Sequence, residues 1–302
     1  NAGNALDSDT ERNTLFGYDT GKLIDSGDDN TLMGWKTGDA ITSGYKNTAV
    51  GSEALPYCTS GNRNVAIGWE AGRSITDGNR NVAVGNMAGR TWGSATQCIA
   101  IGEGAGSNYG SGSRNIAIGD GSNFLGGTDI IAIGDQSVQR SSTSTIGLGR
   151  YAAKNVTGDY NIHIGYESGF GDASSPHSPG LHNIGLGYRS LYAKTSGFNN
   201  VAIGASTGNT ITTGSNNILL GSNVQASSAT ASNEVVIGDS NITKFSVPGI
   251  NFVLKDNGGT PTNGHVLTVD SNGEASFAAA SGGSVWSTSG NDIYYTTGNI
   301  GI

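Results

Sequence analysis

GNRNVAIGWEAG, residues 61–72, and GNRNVAVGNMAG, residues 78–89, decide the fold: they are one phrase written twice, seventeen positions apart. Working outward, the glycine of "apolar, small, apolar, Gly" recurs at 17, 34, 51, 68, 85, 102, 119, 134, 149, 165, 187, 204, 221 and 238. The steps are 17 six times, then 15, 15, 16 and 22, then 17 three times. A period held this tightly is the mark of a stacked repeat, in which one unit is too small to bury a core and neighbours must complete it.

Aligned on that glycine, the residue before it is apolar in every copy, and the residue three before it is Val or Ile from Val65 onward, after Thr14, Thr31 and Thr48. Between them the slot is usually small, as at Ala49, Ala66, Ala83 or Gly147. Alternate side chains of a strand point to opposite faces, so both faces of this strand are apolar and one admits only a small group. That pattern predicts a strand covered on both sides, with the alanine/glycine face closed by parallel rods of the same chain packed around an axis.

Four before the glycine stands Asn in ten of fourteen copies, including Asn13, Asn47, Asn64, Asn81 and Asn200. Coils stacked about 4.8 Å apart bring such amides within hydrogen-bond reach, as a ladder. Three after the glycine the slot is small again (Ala54, Ala71, Ser122), and seven after it an apolar residue returns (Ile24, Ile41, Ile75, Trp92). Ten after it comes another glycine, Gly27, Gly44, Gly61 or Gly78, where a turn with positive φ is expected. Each repeat therefore reads as strand, turn, short second strand, turn.

Composition agrees with a backbone-dominated rod: 50 glycines in 302 residues, 13% charged residues and a formal net charge of −8. Glycine at this density opposes helices. The acidic balance and scattered cations leave no footprint for nucleic acid, and the short apolar runs predict no membrane insertion. Cys58 and Cys98 carry no CxxC or Cys/His spacing and read as small buried hydrophobes. With Asn at position 1 and methionine only at Met33 and Met87, the chain reads as a segment of a longer protein.

The runs NTAVGSEAL (47–55), GNRNVAIGWEAG (61–72), GSRNIAIGDGS (112–122) and NNVAIGASTG (199–208) resemble the head repeats of YadA-like trimeric adhesins. Similar repeats occur in tail fibres of phages, cyanophages among them, and in trimeric fibres of predatory bacteria. The resemblance implies an all-β, parallel β-solenoid, a left-handed β-roll of about fourteen repeats near the seventeen-position period, homotrimeric and followed by a β-rich stalk. Residues 1–12 form a lead-in, 13–243 the repeats, 244–283 a neck and 284–302 the start of a C-terminal trimeric β segment. The neck resembles linkers of marine phage fibres, and VWSTSGNDIYYTTGNIGI (285–302) resembles the sequence ahead of endosialidase-type chaperone domains. The implied role is a virion tail fibre, extracellular, that attaches to a host cell-surface receptor, a glycan being one candidate, alongside other fibre or virion proteins. A bacterial cell-surface adhesin and a purely structural spacer are the alternatives.

No Ser/His/Asp, Cys/His or paired-carboxylate arrangement stands out, so neither an enzyme nor a cofactor is expected. His163 takes the alanine slot and, in a trimer, would meet its own copies near the axis, a weak candidate metal site. His177 and His182 lie in the long excursion GFGDASSPHSPGLH (169–182), the first candidate receptor contact, since insertions on one face of a solenoid often bind. Directly after the repeat glycine stand Trp35, Trp69, Tyr166 and Tyr188, which are candidate sugar-stacking residues if that slot is exposed and filler if it is not.

Overall fold

In the computed structural model the described residues are 2–3, 11–108, 112–123, 127–140, 142–171 and 178–244, together with four later strand segments of which the backbone alone is described. No helix occurs among them, and the chain divides into two units, Asn1–Thr243 and Lys244–Ile302. The first is a parallel β-solenoid. Fourteen short strands, from Thr14–Phe16 to Val235–Ile237, form one sheet in strict chain order, every neighbour parallel. Register follows the repeat: Val65 pairs with Val82, Ala66 with Ala83 and Ile67 with Val84. The second unit contains two antiparallel pairs, His265–Val269 with Ala275–Ala279 and Trp286–Ser289 with Asp292–Tyr295.

Each coil turns four side chains inward. Around the strand Val65–Ile67 these are Asn64, Ala66, Ala71 and Ile75, all sealed from solvent. A coil this thin stands because its backbone bonds are made between coils. Val65 N donates to the Asn81 carbonyl at 2.8 Å and Gly72 N to the Ala88 carbonyl at 2.8 Å, while Gly68 N reaches back to Val50 at 2.8 Å. Buried peptide groups are thus paired above and below around much of the circumference.

The asparagine ladder is present as expected. Asn81 donates its backbone N–H (3.0 Å) and its Nδ2 (3.1 Å) to Oδ1 of Asn64, and that same Nδ2 reaches the Ala95 carbonyl at 2.8 Å. Both amide ends of each buried ladder asparagine are therefore spent.

Three expectations need correction. The alanine slot does not face a neighbouring rod: Ala49, Ala66, Ala83, Ala100 and Ala117 are fully buried inside their own coil, and the flanking β-branched residues point outward. Ile67 is 40% and Ile203 41% exposed. Among the described residues of the regular coils the second strand is absent, because left-handed residues at two places per coil, such as Glu70 and Arg80, break the extended path. It survives where the repeat shortens, after Gly119 and again after Gly134, as the pair Gly127–Thr128 and Ser142–Thr143, and as the bridge between Val156 and Ser178. Finally, Gly61 and its equivalents have ordinary φ; they are needed because a Cβ on Gly61 would lie 2.7 Å from the Gly78 carbonyl oxygen. Positive φ falls instead on the strand-end glycines, such as Gly68 at +130°, where a Cβ would also lie 2.5 Å from the Gly85 oxygen.

Sheet register survives the irregular steps, with Ile131 opposite Ile146 and Ile162 opposite Ile184. The interior does not stay uniform. Among the described residues its apolar core runs from Ile24 to Ala117, then continues as two smaller clusters, Ile130–Val156 and Leu191–Ala226.

Candidate binding surface

Because the coils stack in register, each repeat position becomes a column on the surface, and aromatic side chains collect in the columns of the coils from residue 149 to 197. Tyr166 and Tyr188 stack with ring centroids 5.7 Å apart and planes 10° off parallel. Phe170 and Tyr192 stack beside them at 5.2 Å, and Tyr151 meets both Tyr166 (6.2 Å) and Phe170 (6.4 Å) edge to face. Cations cover the remaining ring faces: Arg150 lies 4.6 Å and Lys154 4.3 Å from the Tyr151 centroid, and Arg189 lies 5.3 Å and 5.1 Å from Tyr188 and Tyr192. Arg189 is fixed by Glu167 at 2.6 Å and Arg150 by Asp135 at 2.9 Å. Hydrogen bonding to Glu167, then burial, raises the Tyr166 phenol above its usual pKa.

The slot after the repeat glycine is thus exposed, with Tyr166 at 38% and Tyr188 at 48%. The tyrosine faces are nevertheless spent on each other and on the guanidiniums, the Tyr166 hydroxyl is engaged by Glu167 and that of Tyr151 by Arg150 at 2.8 Å, and ring edges are left for a ligand. Trp35 and Trp69, 45% and 48% exposed, stand two coils apart in the same column, with Lys36 Nζ 4.8 Å from the Trp35 ring. No family model, no curated protein and no solved structure matches the chain. What this surface does must therefore be argued from its own geometry.

His182 does not join the tyrosines; it stacks on Tyr160 at 5.2 Å, 9° off parallel, in the column that precedes the ladder asparagine. His177 lies outside the described residues. His163 is the clearest correction: it sits inside the coil rather than near any axis between chains, wholly buried between Gly147 and Gly185 in the sheet. A Cβ on Gly169 would come within 2.2 Å of its ring, so that ring fills space left by three glycines. Neither ring nitrogen has a hydrogen-bond partner, and no group of three His, Cys, Asp or Glu able to hold a metal occurs among the described residues. Burial, then the charge of Lys194, holds the imidazole well below its ordinary pKa.

Lys194 occupies the apolar slot of Ile75 and Ile211. Burial lowers it to about 8, and its Nζ donates to the Gly180 carbonyl at 3.4 Å. Cys58 and Cys98 are buried, and burial pushes the Cys58 thiol up to about 12, so it stays protonated. Sequence reading passed over Tyr151, Phe170 and Tyr192, which lie off the column after the glycine. Aligning every position on the period, rather than one, would have gathered them.

Proposed function

We propose that the chain is an extracellular attachment fibre of the phage tail-fibre kind, a homotrimer of left-handed β-rolls carried on a β-rich stalk and without catalytic activity. One observation supports this reading above the others: two columns of outward β-branched and aliphatic side chains run the length of a fourteen-strand parallel sheet. Parallel sheets are ordinarily covered on both faces, and a continuous apolar surface of this length calls for a partner. Identical chains supply a matching surface, so the aliphatic face, not the alanine face, is the side on which three copies pack. Receptor contact is assigned to the aromatic columns around Tyr166 and Tyr188, to His177 and His182 of the excursion, and to Trp35 and Trp69. A bacterial surface adhesin is the second reading, with the same packing.

Sedimentation of the purified chain tests the assembly. A particle of three times 30.6 kDa is expected, and a well-behaved monomer contradicts it. Deleting residues 172–177 and replacing Tyr166 and Tyr188 by serine tests attachment: lost adsorption with an unchanged particle mass fits a receptor-binding fibre, whereas full adsorption leaves a structural spacer.

A further inference from the structure

Several charges on this rod are paired from coil to coil. In the column that precedes each ladder asparagine, Arg12 reaches Asp29 at 2.5 Å and Arg114 reaches Asp129 at 2.6 Å. Elsewhere Arg150 reaches Asp135 and Arg189 reaches Glu167 in the same way. Lys46, Arg63 and Arg80 occupy three successive positions of the first column and break this rule. Lys46 has the charge of Asp29 on one side. Arg63 and Arg80 have no carboxylate within ion-pair distance among the described residues, and both are exposed. The acid nearest to Arg80 along the chain, Asp77, accepts the Thr76 hydroxyl at 3.1 Å. Adjacent cations at coil spacing repel by about 1 kcal/mol even in water, and no partner within the described chain offsets it.

These side chains border a groove of about 300 Å³ lined by Tyr45, Asn62, Arg63, Asn79, Arg80 and Thr96. Its walls are held in place. Asn62 Oδ1 accepts from Tyr45 N at 2.9 Å and Asn79 Oδ1 from Asn62 N at 2.8 Å, so the Asn62 amide nitrogen is left for a ligand. The Tyr45 ring has Lys46 at 5.6 Å and Arg63 at 5.9 Å, which sets the cations along the groove rather than away from it.

We propose that this groove binds an acidic polysaccharide, its carboxylate, sulfate or phosphate groups meeting Arg63 and Arg80 while Asn62 and Thr96 take sugar hydroxyls. Arg63 and Arg80 stand one coil apart, a backbone step of about 4.8 Å, close to the advance per residue of an extended saccharide chain. Guanidinium forks suit such anions. A nucleic acid carries a charge about every 3.4 Å of strand, closer than the coil step of about 4.8 Å, and would need a longer basic track than two or three cations provide; a sparser polyanion does not. The inference gives a ligand class to the attachment reading, yet it stands on the cation column alone and its test involves no host.

The full chain, the double variant R63Q/R80Q and the charge-keeping R63K/R80K are titrated against polygalacturonate, dextran and oligothymidylate at low ionic strength, with particle mass and thermal melting recorded for each. Polygalacturonate is expected to bind the parent, to weaken as salt rises, to lose about tenfold or more in R63Q/R80Q and to be largely kept by R63K/R80K, with dextran unbound. Failure of the parent to bind polygalacturonate, equal binding by R63Q/R80Q, tighter binding of oligothymidylate, or a changed particle mass in R63Q/R80Q overturns the proposal, the last because the cations would then serve contacts between chains.

Discussion

At the scale of single residues, the fold rests on positions that accept one side chain for a stated reason. Asn64 is such a position: its side chain serves Asn81 N, Asn81 Nδ2, Asn47 Oδ1 and the Gly78 carbonyl. Asn64→Ala leaves buried donors and an acceptor unpaired, and a loss of about 1–3 kcal/mol is expected in chemical unfolding. The ladder also contains a natural defect. Cys98 stands in the asparagine column, taking Asn81 Oδ1 through its backbone and the Gly112 carbonyl through Sγ at 3.3 Å. Cys98→Asn restores the amide and is expected to raise stability by about 1 kcal/mol; a lower melting temperature would show that the slot there has been reshaped around sulfur. Gly68→Ala meets both a left-handed backbone and the Gly85 oxygen at 2.5 Å, and loss of folded solenoid from the soluble fraction is the expected outcome.

The asparagine and alanine columns were legible in the sequence because an interior slot repeats one residue type, fixed by the space inside the coil. Which way the strand faced was not. Alternation places Ala66 and its neighbours Val65 and Ile67 on opposite faces without saying which face is inside, and packing decides it: so short a coil has room inside for alanine and not for two β-branched side chains. The Gly61 row was misjudged for a related reason, since a close approach between coils and a positive φ leave the same mark in a sequence. Tyr166 and Tyr188 could be named as aligned, but that their faces close on each other depends on ring orientation, which spacing does not carry.

At the scale of the coil, the stretch from residue 146 to 203 is where the repeat departs from its own rules. His163 and Lys194 are bases buried in slots that elsewhere hold alanine and isoleucine, faced by Ser168, Ser190 and backbone carbonyls rather than by carboxylates. Both pKa values lie below their unfolded values, so the unfolded chain binds protons that the folded one refuses, and stability rises with pH across each window. For Lys194 the window lies between about 8 and 10.5; below it the full cost, on the order of 3 kcal/mol, is present. For His163 stability is complete above about 6.5 and is lost as pH falls below it. Lys194→Ile is expected to raise the melting temperature at pH 7 and to remove the rise between pH 8 and 10, leaving the acid loss in place. If Lys194→Ile destabilises the chain at pH 7, the lysine is held by more than the one long bond to Gly180.

At the scale of the molecule, stability is a sum of nearest-neighbour contacts along a stack. Among the described residues the apolar core is continuous over the first seven coils and divided afterwards, so unfolding is expected to begin beyond Ala117 and spare the coils before it. Hydrogen exchange resolved by segment checks this, with the slowest amides expected between Leu32 and Ala117. Uniform exchange along the solenoid would mean that the shortened and lengthened coils cost nothing.

The central claim is that equivalent positions lie directly above one another, coil after coil. Ser52, Asp120 and Ser222 occupy one column, four coils and then six coils apart. Spin labels on cysteines placed there, in chains diluted with unlabelled protein and with the two buried thiols replaced, measure the stack directly. Distances of about 19 Å from 52 to 120 and about 48 Å from 52 to 222 are expected for steps of about 4.8 Å; a 52-to-222 distance no longer than that from 52 to 120 would contradict the account.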